Sequence, residues 1–542
     1  MLLSVCLGLH AQPLPASVRG QVEADPFKNV PAPWREYLLQ ARRAEDIADP
    51  LQRCLAYPDL PGNRWPPGHA RAHCLDHTVQ AMSMEDARKL LETGRVGELE
   101  AYLRRLEAEH ARPIDPSEEL HYFFEQFESE DADEFTAAWL AAQPDSPYAL
   151  TARAHFHSGA AMRARGGAWA WKTPPEAMRR MTAEYDLALP LYRKAVRLAP
   201  RFVEPWDGML ELAYRDSREE LEKEAFKAAS AIEPGCRNLA KIRMASLEPR
   251  WGGSYEAMLA YAEQLKPLLA TRPLLASQIA APFGDRGNML ISSKELGREA
   301  MDVLDVAVRT GSNEDYLEDA ANVAFNAEDG ARDEWKALGY LLQVVRFREG
   351  GWWVNVNIAR MLVDLEPSMA RRYAALAVAD EPEKAAGHYY LAVSSLYTKR
   401  FDEADKHYQL AMQDSDYLHS SLDEVVRMWM FEAGLSPKEG GLRARPYIER
   451  LVREFPDDGR GYMYRILSEG AITGKVPEQW IADFEQRADL NDHRQAGFLR
   501  WLQEMRKSAS LRIVLPSASH EAGRQKQSMR DVDGVPGGKR SK

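Results

Sequence analysis

Ala195 and Ala229 lie 34 residues apart, and so do Ala377 and Ala411. Each alanine sits in a longer pattern. Ala188, Tyr192, Ala195 and Pro200 are followed at that spacing by Glu222, Phe226, Ala229 and Pro234, and all but the first position agree in type. Ala370, Ala374, Ala377 and Pro382 are followed by Ala404, Tyr408 and Ala411, with Asp416 in place of the proline. Leu391 and Ala392 fall at the crossing point of the helix between them. Weaker copies read Ala444, Ile448, Leu451, Pro456, and Ala300, Leu304, Ala307. Alanine lets two helix backbones approach, and proline cannot continue a helix. The spacing therefore predicts stacked antiparallel helix pairs that bury a shared seam no single pair could bury alone. The competing arrangement is an irregular helical bundle with alanine-rich seams.

A chain of 542 residues is too long for one compact core, so several domains or an extended array is expected. The remaining stretches read as helix too. MEDARKLLETGRVGELEAYLRRLEAEHA has apolar residues at helical spacing with Gly94 as a turn, and PSEELHYFFEQF opens on Ser117 as a cap. SPYALTARAHFHSGAAMRARG reads as one long helix stopped at Gly166-Gly167. No stretch alternates with period two, so almost no strand is expected. A 34-residue helix pair with small crossing residues and a terminal proline resembles the tetratricopeptide repeat (TPR). The expected fold is all-α: a TPR-like α-solenoid of antiparallel helix pairs, with an irregular N-terminal segment and a disordered C-terminal tail. The boundaries are a signal peptide over 1–11, an irregular Cys/Pro-rich segment over 12–80, a helical domain over 81–350, further TPR-like repeats over 351–505, and a basic tail over 506–542.

Several strings carry a narrower resemblance. LLETGRVGELEAYL, RARGGAWAW (Arg163 to Trp171), LEPRWGGS (Leu247 to Ser254) and the Cys54–Cys74 segment resemble a bacterial family known as domain of unknown function 4034, over roughly residues 80–350. The resemblance implies a TPR-like helical fold and no activity. The same strings have a physical reading. AWAWKTPPE is too long for an ordinary turn between paired helices, so Trp169 and Trp171 either fold back over a seam or stand exposed to a partner. In PRWGGS, Pro249 breaks a helix, Trp251 holds the turn, and Gly252-Gly253 admit close backbone. Plain packing is the alternative in both places.

Charge excludes some functions. The net charge is −12, and residues 506–542 carry nine Lys/Arg against three Asp/Glu, a net of +6, which leaves −18 on the rest. Such a body repels phosphate, so neither nucleic acid nor an anionic membrane surface is an expected partner. No segment approaches the roughly 20 apolar residues of a membrane span. MLLSVCLGLHAQPLP resembles a secretory signal cleaved after Ala11, although no basic residue precedes its apolar run. Export to the periplasm or beyond is the expected location, a cytoplasmic protein the alternative. An oxidising compartment would allow a Cys54–Cys74 disulfide, worth about 3 kcal/mol in the chain-entropy model. Cys236 is then left unpaired.

Chemical motifs are sparse. His69, His73 and His77 share a face if the segment is helical, and histidines at that spacing can chelate zinc. A solvated turn beside a disulfide fits the same residues. EQFESEDADEF lacks the glycine and terminal glutamate of a calcium loop. There is no nucleophile elbow, phosphate loop, dinucleotide fingerprint or zincin motif, so no catalytic residue and no cofactor is expected. A solenoid instead offers a groove lined by the first helix of each unit. The repeat frame places Glu204, Asp207, Glu211, Tyr214, Trp352, Asn355, Leu362, Tyr389 and Val393 on it. That set is acidic and aromatic, which suits a partner protein or peptide with a basic segment and apolar anchors. The expected function is a non-enzymatic protein-binding scaffold of the cell envelope. The alternative is an enzyme or metal protein with its site at the N-terminal His/Cys segment or beneath Trp169–Trp171.

Overall fold

The computed structural model describes residues 25–112, 117–168, 170–327, 330 and 332–507. The signal peptide and the basic tail lie outside the described residues, apart from the tail's first two. Among the described residues the chain forms 26 α-helices and no strand. From Pro147 onward most of them run in antiparallel pairs. Pro147–Arg165 packs on Pro175–Leu198, Glu204–Arg215 on Glu219–Ile232, and Ala276–Ser292 on Arg298–Thr310. Glu314–Asn326 packs on Glu334–Phe347, Trp352–Leu362 on Pro367–Asp380, Ala385–Tyr397 on Phe401–Ala411, and Pro437–Glu454 on Gly459–Thr473.

The alanine frame is the seam. Ala188, Tyr192, Ala195, Ala229, Ala370, Ala374, Ala377, Ala404, Tyr408, Ala411, Ala444 and Leu451 are all fully buried. The helices end where the prolines require. Pro175–Leu198 stops two residues before Pro200, Glu219–Ile232 two before Pro234, Pro367–Asp380 two before Pro382, and Pro437–Glu454 two before Pro456. Ser146, Ser254 and Asn313 cap the helices that follow them, each accepting a backbone N–H. Ser436 forms a full capping box with Glu439. Ser117 lies one residue outside its expected cap position: the helix is Glu119–Glu125, and the Ser117 hydroxyl accepts from Glu119 N–H at 3.2 Å.

The N-terminal segment is more ordered than its composition suggests. It forms the helices Trp34–Ala44, Pro50–Ala56 and His69–His77, which strap across the second helices of three units. Trp65 donates to Val308 O at 2.9 Å, Tyr37 to Gly339 O at 3.1 Å, and Tyr373 to Glu45 at 2.7 Å. Arg346, only 5% exposed, donates to Cys54 O at 3.0 Å and to Asp59 at 2.8 Å. Cys54 and Cys74 are disulfide-bonded. The crosslink and the buried guanidinium thus reinforce a segment whose Phe27, Tyr37, Leu38 and Tyr57 are packed into the main apolar core.

Candidate functional site

The strap and the helices after it change what the first helices of each unit can present. Glu204 and Asp207 are 1% exposed, and Trp352, Asn355 and Tyr389 are also buried. They therefore do not line an open groove. Helix Glu119–Glu125 brings His121 Nδ1 to 3.2 Å from Glu204 Oε1. Lys384 lies over the Trp352 ring at 4.0 Å, and Tyr389 meets Tyr417 with ring centroids 5.2 Å apart. Asn355 donates to Gly350 O. Leu362 and Val393 are buried core. Of the expected lining, Glu211 and Tyr214 keep partial exposure, with Glu211 paired to Arg215 at 2.6 Å.

His69, His73 and His77 do lie on one helix, and the first two converge on the Ser312 hydroxyl instead of on a common ligand position. His69 Nδ1 donates to Pro273 O at 2.8 Å. Its Nε2 accepts from Ser312 N–H and lies 2.6 Å from Ser312 Oγ. His73 Nδ1 is 2.6 Å from the same hydroxyl, and its Nε2 is 3.0 Å from Glu314. Ser312 is fully buried, so this Ser–His–Glu chain cannot offer its hydroxyl to a substrate. Burial holds His69 neutral and lowers it to about 3. Beside it opens a polar cleft of about 280 Å³ whose lining includes His73, Asp76, His77, Tyr122, Arg237 and Glu314. Its charges are already paired: Asp76 with Arg237 and the Tyr122 hydroxyl, Glu314 with His73.

A separate buried polar cluster is announced by no local motif. It joins the end of helix Val96–His110, the turn Glu233-Pro234-Gly235-Cys236, and helix Glu204–Arg215. His110 Nε2 is 3.2 Å from Glu233 Oε2 and 3.9 Å from Cys236 Sγ, which is 3.6 Å from Asp207 Oδ2. Burial opposes charge on His110, but Glu233 and Glu118 outweigh it and raise it to about 10. Burial, with the Glu204 charge added, pushes Asp207 up to about 8. Burial would also raise Glu204, yet the charge and hydrogen bond of His121, with His155 behind, hold it below its ordinary value. Among the described residues this is where His, Cys and carboxylate ligand atoms gather, those of His110, Glu233 and Cys236 lying within 4.8 Å of one another.

Among the described residues the most exposed aromatic lies elsewhere. Gly166 has φ +75° and ends helix Pro147–Arg165. The chain then enters the short helical turn Ala170–Lys172, where Trp171 is 78% exposed. Trp169 lies outside the described residues. Arg165 donates to the carbonyls of Gly166 and Ala168 in this loop, and its guanidinium lies 5.9 Å over the Trp251 ring. Trp251 is 38% exposed and meets Tyr214 edge-on at 5.6 Å. Gly252 turns at φ +91°, and a Cβ on Gly253 would strike the Leu247 carbonyl. Through Arg165 the two tryptophan-bearing strings that looked unusual in sequence are brought into contact.

Helix pairs in register, sealed by alanines, define an α-solenoid of TPR-like repeats. No protein-family model matches the chain, and no curated protein does. Among solved structures it is similar to the P58(IPK) TPR domain at 14% identity, covering 70% of this chain and 93% of that one, with a TM-score of 0.24. It is also similar to the APC/C Cut9–Hcn1 hetero-tetramer, at 11% identity, 88% and 98% coverage and a TM-score of 0.30. Yeast Tom70 matches at 13% identity, 75% and 97% coverage and a TM-score of 0.23. Such scores carry no argument about ligand or activity, and the fold assignment rests on the helix pairs themselves.

Proposed function

We propose that the chain is a non-enzymatic scaffold that binds a partner protein through the rim of Trp171 and Trp251. The observation that carries this reading is the 78% exposure of Trp171 on a loop inserted between paired helices. A large aromatic held in water is costly unless a partner covers it, and tryptophan is enriched where binding energy concentrates. The rim also bears Arg165 and the exposed Lys172. It suits an apolar anchor flanked by carboxylates. The basic segment expected from Glu204 and Asp207 loses its footing because both are buried.

The bacterial cell envelope is the proposed location. What supports it is the Cys54–Cys74 bond together with the apolar N-terminal run. Membership of the domain of unknown function 4034 family is likewise proposed, on the strings quoted above. Crosslinking affinity purification from the native organism tests the scaffold reading, using the full chain with Trp171→Ala, Trp251→Ala or Leu490→Ala. Leu490 is 68% exposed and stands outside the rim. Both tryptophan variants should lose the partner about tenfold or more, and the leucine variant should keep it. Equal recovery by all three removes the proposal.

A further inference from the structure

We infer that His110, Glu233 and Cys236, with Asp207 beside them, form a zinc-type cation site that staples helix Val96–His110 onto the repeat array. The inference is independent of the partner rim.

Geometry comes first. Ligand atoms on a tetrahedral zinc, with bonds of about 2.0–2.3 Å, stand about 3.3–3.8 Å apart. Here the separations are 3.2 Å between His110 Nε2 and Glu233 Oε2, 3.9 Å between His110 Nε2 and Cys236 Sγ, and 3.6 Å between Cys236 Sγ and Asp207 Oδ2. The ligand atoms of His110, Glu233 and Cys236 all lie within 4.8 Å of one another, so a contraction of at most about 1 Å would bring the three to bonding distance, with Asp207 adjoining on the Cys236 side. All four residues are buried, the most exposed being Glu233 at 9%.

Each ligand is also oriented from behind, as working metal sites require. His110 Nδ1 donates to Ser117 O at 3.0 Å, which turns Nε2 toward the cluster. Arg272 holds the other oxygen of Glu233 at 3.3 Å and leaves Oε2 free to face His110. Cys236 caps helix Arg237–Ser246 and receives Leu239 N–H on Sγ at 3.5 Å, which orients the sulfur. Asn238 donates to Asp207 Oδ2 at 3.2 Å.

A second observation points to a ligand. Asp207 Oδ1 is buried and has no hydrogen-bond partner, while Oδ2 takes Asn238 and faces Cys236, so the carboxylate beside the cluster is one bond short. An unpaired buried carboxylate oxygen is costly, and a cation would satisfy it. Thiolate, imidazole and carboxylate together favour zinc over magnesium or calcium, which take oxygen ligands alone.

The test uses the untagged full chain, purified without chelator, with zinc alone and then cobalt(II) alone as probes. The expected result is one zinc per chain, a melting temperature that falls on chelation and recovers with zinc, and a thiolate-to-cobalt charge-transfer band. Cys236→Ser should remove that band, and His110→Gln should weaken cobalt binding. The wild-type spectrum decides the matter even if a variant folds poorly. Substoichiometric zinc with no thiolate band in the wild-type chain overturns the inference, as does a band that survives in folded Cys236→Ser.

Discussion

The ring of Tyr192 lies against the Cα of Gly208, so close that a Cβ at Gly208 would overlap the phenol. Tyr192 is on the second helix of one unit and Gly208 on the first helix of the next. Gly208→Ala should therefore cost about 1–3 kcal/mol in chemical denaturation, through overpacking. Gly97, which has open space where its Cβ would stand, provides the comparison. Gly97→Ala should be neutral or stabilise by about 0.4–1 kcal/mol. If the two variants behave alike, the seam is looser than described.

Arg346 should matter more than a surface arginine. It is 5% exposed and donates to Cys54 O, Pro58 O and Asp59. Arg346→Met would leave Cys54 O without its side-chain donor, at about 1–3 kcal/mol where no water reaches it, while Pro58 O keeps Gln343 at 2.7 Å. Denaturant unfolding should show a loss of about 1–3 kcal/mol, and limited proteolysis should begin in the 54–74 loop. A loss within about 0.5 kcal/mol would contradict the clamp.

Reducing the Cys54–Cys74 bond should destabilise the strap separately. The chain-entropy model gives about 3 kcal/mol for a loop of this size. Thiol labelling of protein taken directly from cells should modify neither cysteine before reduction. Full labelling without reduction would remove the oxidising compartment from the proposal.

Acid should weaken the fold early. Burial lowers His69 from its ordinary 6.5 to about 3. Between those values the unfolded chain binds a proton that the folded chain refuses, so stability falls as pH drops and is full above 6.5. His69→Leu should lower stability at neutral pH, since Ser312 and Pro273 O lose a partner. It should also flatten the decline between pH 6 and 4, measured by thermal melts, and an unchanged slope would refute the assignment.

The repeat was legible because a seam is local: Ala195, Ala229, Ala377 and Ala411 announce themselves by size and spacing alone. Phe226 shows the limit. It stands 34 residues after the fully buried Tyr192, yet it is only partly buried and packs edge-on against Tyr261 at 6.0 Å. The groove was misplaced for a non-local reason. Glu204 reads as exposed until His121, 83 residues earlier, is found against it. His110, Glu233 and Cys236 likewise share no motif, being joined across a separation of 126 residues. Only the i,i+3 spacing of Glu233 and Cys236 across a Pro-Gly turn offered a signal, and alone it is weak.

The partner rim is tested most directly by placing a photo-crosslinking residue at position 171 in the full chain, in the native organism. Position 490, also exposed, serves as the reference. Trp171→Ala itself should leave stability within about 0.5 kcal/mol, so changes in capture report binding and not folding. The account predicts one discrete adduct from position 171, the same species from position 251, and none from position 490. No adduct at 171 above that at 490 would contradict it.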